Sequence, residues 1–207
     1  MTLVAALKTL LHRYLAQDDL RVATLVANRN RPGTEGVIGP FANTVILRAN
    51  LSGDPSPQEV MRRVRATTLA AFANQDLPFE VLVEALERER ALKPATLAQV
   101  MIQLQNATLR PIANVGRTLT FEEANPTMLV PLVTATTFDV ILIFHESTHG
   151  LMGSCVYKPR LFDATTIDRL LRDFQSVLEQ MVTQPERPIT AIRVPMNEKP
   201  LKPPLRA

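Results

Sequence analysis

Residues 137–157 read TFDVILIFHESTHGLMGSCVY, and this stretch constrains the fold most. Phe138, Val140, Leu142 and Phe144 alternate with Asp139, Ile141, Ile143 and His145, the two-residue period of a β-strand. A second β-prone run, LMGSCVY, follows Gly150, so the stretch predicts a hairpin with Glu146 to Gly150 at its turn. An isolated hairpin is barely stable in water, so the rest of the chain has to provide further strands and a covering layer.

Three other segments are strand-like: LRVATLVAN (20–28), closed by an Asn-Arg-Asn-Arg-Pro-Gly turn cluster, FANTVILRAN (41–50) and LAQVMIQLQ (97–105). In the last, Ala98, Val100, Ile102 and Leu104 alternate with Gln99, Met101, Gln103 and Gln105, which predicts one polar face. Helical spacing marks 2–15, with Leu3, Leu7, Leu10 and Tyr14 on a stripe beside Val4, Leu11 and Leu15. That helix has only Met1 and Thr2 as lead-in, as expected of a sequence cut from a longer one. Ser56, Pro57 and Glu59 form a capping-box start for a helix running to about Asn74. A second helix follows Pro78, with Phe79, Leu82, Val83 and Leu86 on its expected buried stripe and Lys93-Pro94 at its end. Asp163 is placed to cap a long helix with Ile167, Leu170, Leu171, Phe174, Val177, Leu178 and Met181 inward. Strands and helices in this order predict an α/β sandwich with a mixed sheet.

The turn of the hairpin contains His145-Glu146-Ser147-Thr148-His149, which satisfies H-E-x-x-H, the signature of zinc hydrolases. That chemistry needs both imidazoles on one helical turn. Here five strand-patterned residues precede His145, Gly150 and Gly153 follow, and His residues four apart on a strand stand ~13 Å apart. His12 is the only other His. A chance match with two solvent-facing His is the favoured reading, and no metal ligand is assigned. Other candidates are equally bare: there is no G-x-S-x-G elbow, no phosphate-binding glycine loop, and the single Cys155 lies in an apolar run expected to bury it. Asp139, a carboxylate inside an apolar strand, must find a partner in the backbone or an Arg; Asn43 is expected to bond backbone.

A net charge of +3 hints at nucleic acid, but residues 187–207 hold five basic residues against Glu198 alone. The body therefore carries a slight negative balance with no Trp and no basic run interleaved with aromatics, which argues against nucleic-acid binding. No apolar run reaches the ~20 residues of a membrane helix and no signal-peptide order is present, so a cytoplasmic protein is expected. Residues 106–136, broken by Pro111, Gly116, Pro126 and Pro131, predict a long excursion with one or two strands, and residues 187–207 read as a Pro-rich basic linker.

The segments also carry a family likeness. IGPFANTVILR (38–48) resembles the I-G-x-F-V-N-T-x-x-x-R motif of nonribosomal peptide synthetase condensation domains, and NQDLPFE (74–80) matches their H/N-Q-D-x-P-F-E motif. LAQVMIQLQN, TTFDVILIF and VYKPRLFDATTIDRLLRDF are similar to the family's subsequent segments, in order. The departures are Ala42 in place of Val and the absence of the R-D-x-S-R-N-P-L pattern from RERALKPATLAQV. All of these are motifs of the second of two chloramphenicol-acetyltransferase-like lobes. The catalytic H-H-x-x-x-D-G motif belongs to the first lobe and is absent.

The resemblance therefore implies a C-terminal lobe over 1–186, with 106–136 as the latch that crosses to the first lobe. It implies no catalytic residue in this chain, and structural or tunnel-lining roles for Gly39, Phe41, Asn43, Thr44, Arg48, Gln75, Asp76, Pro78, Phe79, Glu80, Gln103 and Asp139. The implied partners are an N-terminal lobe, carrier proteins bearing phosphopantetheine, and an adenylation domain after the linker. No cofactor is expected to bind directly, and the exposed tunnel face favours self-association of an isolated lobe. The alternatives are a noncatalytic module contacting carrier or adenylation partners and, remotely, the zinc hydrolase.

Overall fold

A computed structural model describes residues 1–34, 36–89, 97–105, 138–147 and 150–194. The elements are α1 (Thr2–Leu15), β1 (Asp19–Val26), β2 (Asn43–Asn50), α2 (Pro57–Ala73), α3 (Phe79–Arg88), β3 (Val100–Gln105), β4 (Val140–Ser147), β5 (Gly150–Tyr157) and α4 (Ala164–Thr183). A 3-10 turn at Ile189–Ala191 follows. The sheet runs β2-β1-β3-β4-β5. Its outer pairs, β1 with β2 and β4 with β5, are antiparallel, whereas β3 is parallel to both β1 and β4. This is the mixed sheet the alternating pattern predicts.

Strand alternation gives the sheet two unequal faces. Leu20, Val22, Val100, Ile102, Val140 and Leu142 pack with α1, α2 and α4 in the main core. On the opposite face Ala23, Met101 and Ile141 form a smaller cluster with Ala98. The expectation of a polar β3 face is corrected there, because Met101 is buried and Gln103 is half-buried. Helix α1 is more deeply enclosed than one stripe predicts, since Ala5, Ala6, Lys8 and Thr9 are buried along with Leu7, Leu10 and Leu11.

Local signals hold at the start of α2, where the Ser56 hydroxyl accepts from the Glu59 amide at 3.4 Å. The Glu59 carboxylate does not return the bond. It pairs instead with Arg62 at 2.6 Å and Arg63 at 2.8 Å; the Arg62 and Arg63 hydrogen bonds pull its pKa down to about 2. Asp163 occupies the cap position of α4 without a side-chain cap bond, so its expected capping is corrected. The α3 stripe is corrected too: Phe79, Leu82, Val83 and Leu86 share one side of the helix, yet none is buried.

The packed body continues past residue 186, which shortens the expected linker. Ile189, Ile192 and Val194 are buried. Asp54 accepts from the Thr190 amide at 3.0 Å and hydroxyl at 2.6 Å, while the Gln180 side chain bonds both the carbonyl and the amide of Arg193 at 2.8 Å. These long-range catches hold a Pro-flanked segment that locally looks like linker. The expected latch (106–136) and the end of the tail lie outside the described residues.

Candidate functional site

The two most specific motifs meet at one point. Asn43 opens β2, and its amide nitrogen donates to the carbonyls of Gln75 at 2.8 Å and Leu77 at 2.7 Å, while its side-chain oxygen accepts from the Phe79 amide at 3.1 Å. One side chain thus fixes the turn NQDLPF and the first residue of α3, as the expected backbone-bonding role requires. Pro78 holds the extended cap position before α3, and the exposed Glu80 lies in its first turn, where a carboxylate suits the helix dipole.

The loop before β2 is organised by Arg29, which no motif in the sequence marks. Its guanidinium donates to the carbonyls of Thr34, Val37 at 2.8 Å and Gly39 at 3.1 Å, and it lies 4.3 Å over the Phe41 ring. The Gly39 and Phe41 of the motif are therefore Arg29's partners. A side chain at 39 would meet the Phe41 ring at 3.4 Å. Arg31 reaches Asp76 at 3.4 Å, an exposed pair worth ~0–1 kcal/mol. Beside this junction, at the C-terminal ends of β1 and β3, is a recess of about 580 Å3 whose walls include Val4, Arg29, Phe72, Gln75, Ile102 and Leu104.

At the other end of β2, Arg48 forks onto Asp19 with three bonds of 2.8 to 3.1 Å. Those bonds hold the Asp19 carboxyl below its ordinary pKa and raise that of Arg48. Thr44 is half-buried opposite Leu25. Under the β1–β2 pair lies a group the sequence did not reveal. Lys8, fully buried, donates to the carbonyls of Leu20 at 2.8 Å and Leu47 at 2.7 Å. Burial lowers its pKa to about 7, against the opposing pull of Asp19.

Across the sheet, Gln103 sits opposite Ile143 on the face away from the helices. Asp139 is buried and paired with Lys158 at 2.7 Å, so its partner is a Lys where an Arg or backbone was expected. Cys155 is half-buried, and desolvation pushes its thiol up to about 12, which makes it unreactive at neutral pH. The H-E-x-x-H segment lies on a strand: His145 faces Met152 in the hairpin and is half-buried, Glu146 is exposed, and His149 lies outside the described residues. The helix that zinc chemistry needs is not formed at His145. No group of three or more metal-ligating side chains is found among the described residues, and no described helix is long and apolar enough to cross a membrane.

Asn43, Arg48 and Asp139 therefore act as structural joints. A family described as the condensation domain matches residues 1–200. The chain belongs to the condensation-domain family. Among its relatives, one of the linear gramicidin synthase subunits of Brevibacillus parabrevis is 42% identical over 193 residues, which is 93% of this chain and 4% of that protein. Surfactin synthase subunit 1 of Bacillus subtilis (strain 168) is 35% identical, over 96% of this chain and 5% of its own length. The chain thus spans a small fraction of the synthases it matches. The solved X-domain from teicoplanin biosynthesis superposes with a TM-score of 0.71 at 28% identity, covering 93% of this chain and 43% of that one. A four-domain nonribosomal peptide synthetase bound to AMP and glycine aligns at TM-score 0.74 and 22% identity, over 93% of this chain and 15% of that one, which supports the fold alone. The condensation-domain neighbours share the chloramphenicol-acetyltransferase-like architecture expected from the sequence.

Proposed function

We propose that the chain is the C-terminal lobe of a condensation domain and forms one wall of the tunnel in which two carrier-bound thioesters are joined. The observation that carries this reading is the coverage. Nine-tenths of this chain accounts for 43% of a solved X-domain chain, as one lobe of two would, and the motifs present are those of the second lobe. In the proposed reaction the acceptor amine attacks the donor thioester carbonyl, the C–S bond breaks, an amide forms, and the phosphopantetheine thiol leaves with a proton.

H-H-x-x-x-D-G is not in the sequence, so under this reading the general base comes from the first lobe. The contribution of the described residues is positional: Asn43 and Arg29 set the loops at one end of β2, Arg48–Asp19 sets the other, and Asp139–Lys158 pins the start of β4. Gln103 lies on the sheet face opposite α1, α2 and α4, the side proposed to line the tunnel. Under this reading the cofactor is the phosphopantetheine of carrier proteins in the cytoplasm, residues 106–136 are the latch to the first lobe, and the sequence after 194 leads toward an adenylation domain.

The test combines this chain with a matching first lobe and two loaded carriers. Dipeptidyl thioester detected by mass spectrometry is the expected result, and a correctly assembled pair that yields none would overturn the reading. It would leave the noncatalytic carrier-binding module as the alternative.

A further inference from the structure

Among the described residues, β5 ends the sheet and no strand lies along its outer edge. The Lys158 amide donates to the Asp139 carbonyl at 3.1 Å, which makes that pair a hydrogen-bonded one. Antiparallel alternation then directs the backbone groups of Val156, Ser154 and Met152 toward β4. Those of Leu151, Gly153, Cys155 and Tyr157 point outward, away from the sheet. Natural edges are blunted by charge, proline or a bulge. The segment LMGSCVY contains no charged residue and no proline, and its register with β4 is unbroken from 140↔157 to 147↔150. Leu151 and Met152, on opposite faces of the strand, are 47% and 54% exposed.

We propose that this edge pairs with β5 of a second copy of the chain, antiparallel and centred on Ser154, to give one continuous sheet. The strand is self-complementary in that register. Leu151 falls opposite Tyr157 and Gly153 opposite Cys155 of the second copy, so every outward amide and carbonyl of the four residues is used, in about eight hydrogen bonds. No charged residue of either copy faces a like charge within the paired segment. An edge without charges fits a partner that is equally uncharged, and β5 is itself such a strand. The contact is small, so the dimer is a concentration-dependent one.

Ser154 tests the register because it meets its own copy. Its backbone groups face β4, so across the new contact it forms a non-hydrogen-bonded pair with Cα atoms about 4.5 Å apart, inside the span a disulfide bridges. The 207-residue chain, S154K and S154C are compared by sedimentation over a concentration series from micromolar upward. The wild-type mass is expected to rise from 23.0 kDa toward twice that value. S154K, a change at an exposed side chain, sets two ammonium groups opposite each other and weakens the dimer by about tenfold or more while leaving the unfolding curve unchanged. S154C is expected to cross-link under oxidation into a dimer reversed by reductant. A monomeric wild type overturns the proposal, and so does a dimer that S154K leaves intact and S154C fails to trap. Dispersal of the dimer and loss of the cross-link on adding a first lobe would assign the edge to that lobe and overturn it as well.

Discussion

At the β2 end of the sheet, polar side chains hold the strand at both ends and from below: Asn43 at its start, Arg48 near its finish, and the buried Lys8 reaching up to the Leu47 carbonyl. At the β5 end, residues 150–154 are exposed, and the strand is held by its ladder with β4 and by apolar contacts such as Gly153 beneath the Phe144 ring, which in turn packs on Phe174 at 5.6 Å. Most of the family's motif residues gather at the first end, Gln103 and Asp139 being the exceptions. The contrast shows that sequence specificity here marks where loops must be placed, while the β5 end needs only a pattern of apolar and small residues.

The two ends should also respond to pH in opposite directions. Lys8 has a folded pKa of about 7, below its ordinary 10.5. Between those values the unfolded chain holds a proton that the folded chain has shed, so stability rises with pH. At ~1.4 kcal/mol per pH unit, the gain from pH 7 to 9 is about 2–3 kcal/mol. Denaturant titrations at several pH values should show this rise for the wild type and lose it for Lys8→Met. An equal slope in the variant would show that the β2 end does not rest on a buried titrating group.

Asn43→Ala comes next in size. It leaves the Gln75 and Leu77 carbonyls and the Phe79 amide without their partner, at a cost of about 2 kcal/mol. The expected readout is a lower denaturation midpoint together with faster amide exchange at Phe79. Wild-type stability would mean that the motif Asn serves something other than the turn.

Cys155 supplies the counterpart at the β5 end. Burial raises its thiol from 9.0 to about 12, so its contribution is complete below pH 9 and is lost as pH rises toward 12. At pH 10 the loss is about 1.4 kcal/mol. Cys155→Ala should remove that decline while lowering stability evenly at lower pH. If the decline above pH 9 persists, Cys155 is not its source.

What the sequence revealed divides along the same line. Ser56 and Pro57 mark a helix start because the signal lies within four residues, and the β4–β5 hairpin is legible because a two-residue period survives any tertiary context. Lys8 was not legible. Nothing in LKTLL shows that the carbonyls it reaches, 12 and 39 residues away, converge on it. Residues 187–194 misled for the same reason, since their proline content is local whereas Asp54 and Gln180, which catch them, are distant. The half-buried α3 stripe shows the converse: helical spacing fixes which residues share a side, not how fully it is covered.

The smallest expected effect belongs to the feature with the most suggestive letters. His145 is half-buried opposite Met152, and Glu146 is exposed opposite Leu151. Successive residues on a strand point to opposite faces, so these two side chains diverge. His145→Ala, alone or with His149→Ala, should change stability by less than about 0.5 kcal/mol, the range of surface substitutions. The purified chain should hold substoichiometric zinc before and after the change. A loss of several kcal/mol on substitution, or one zinc per chain removed by it, would mean that this turn carries a metal site and that the β5 end is not the plainer of the two.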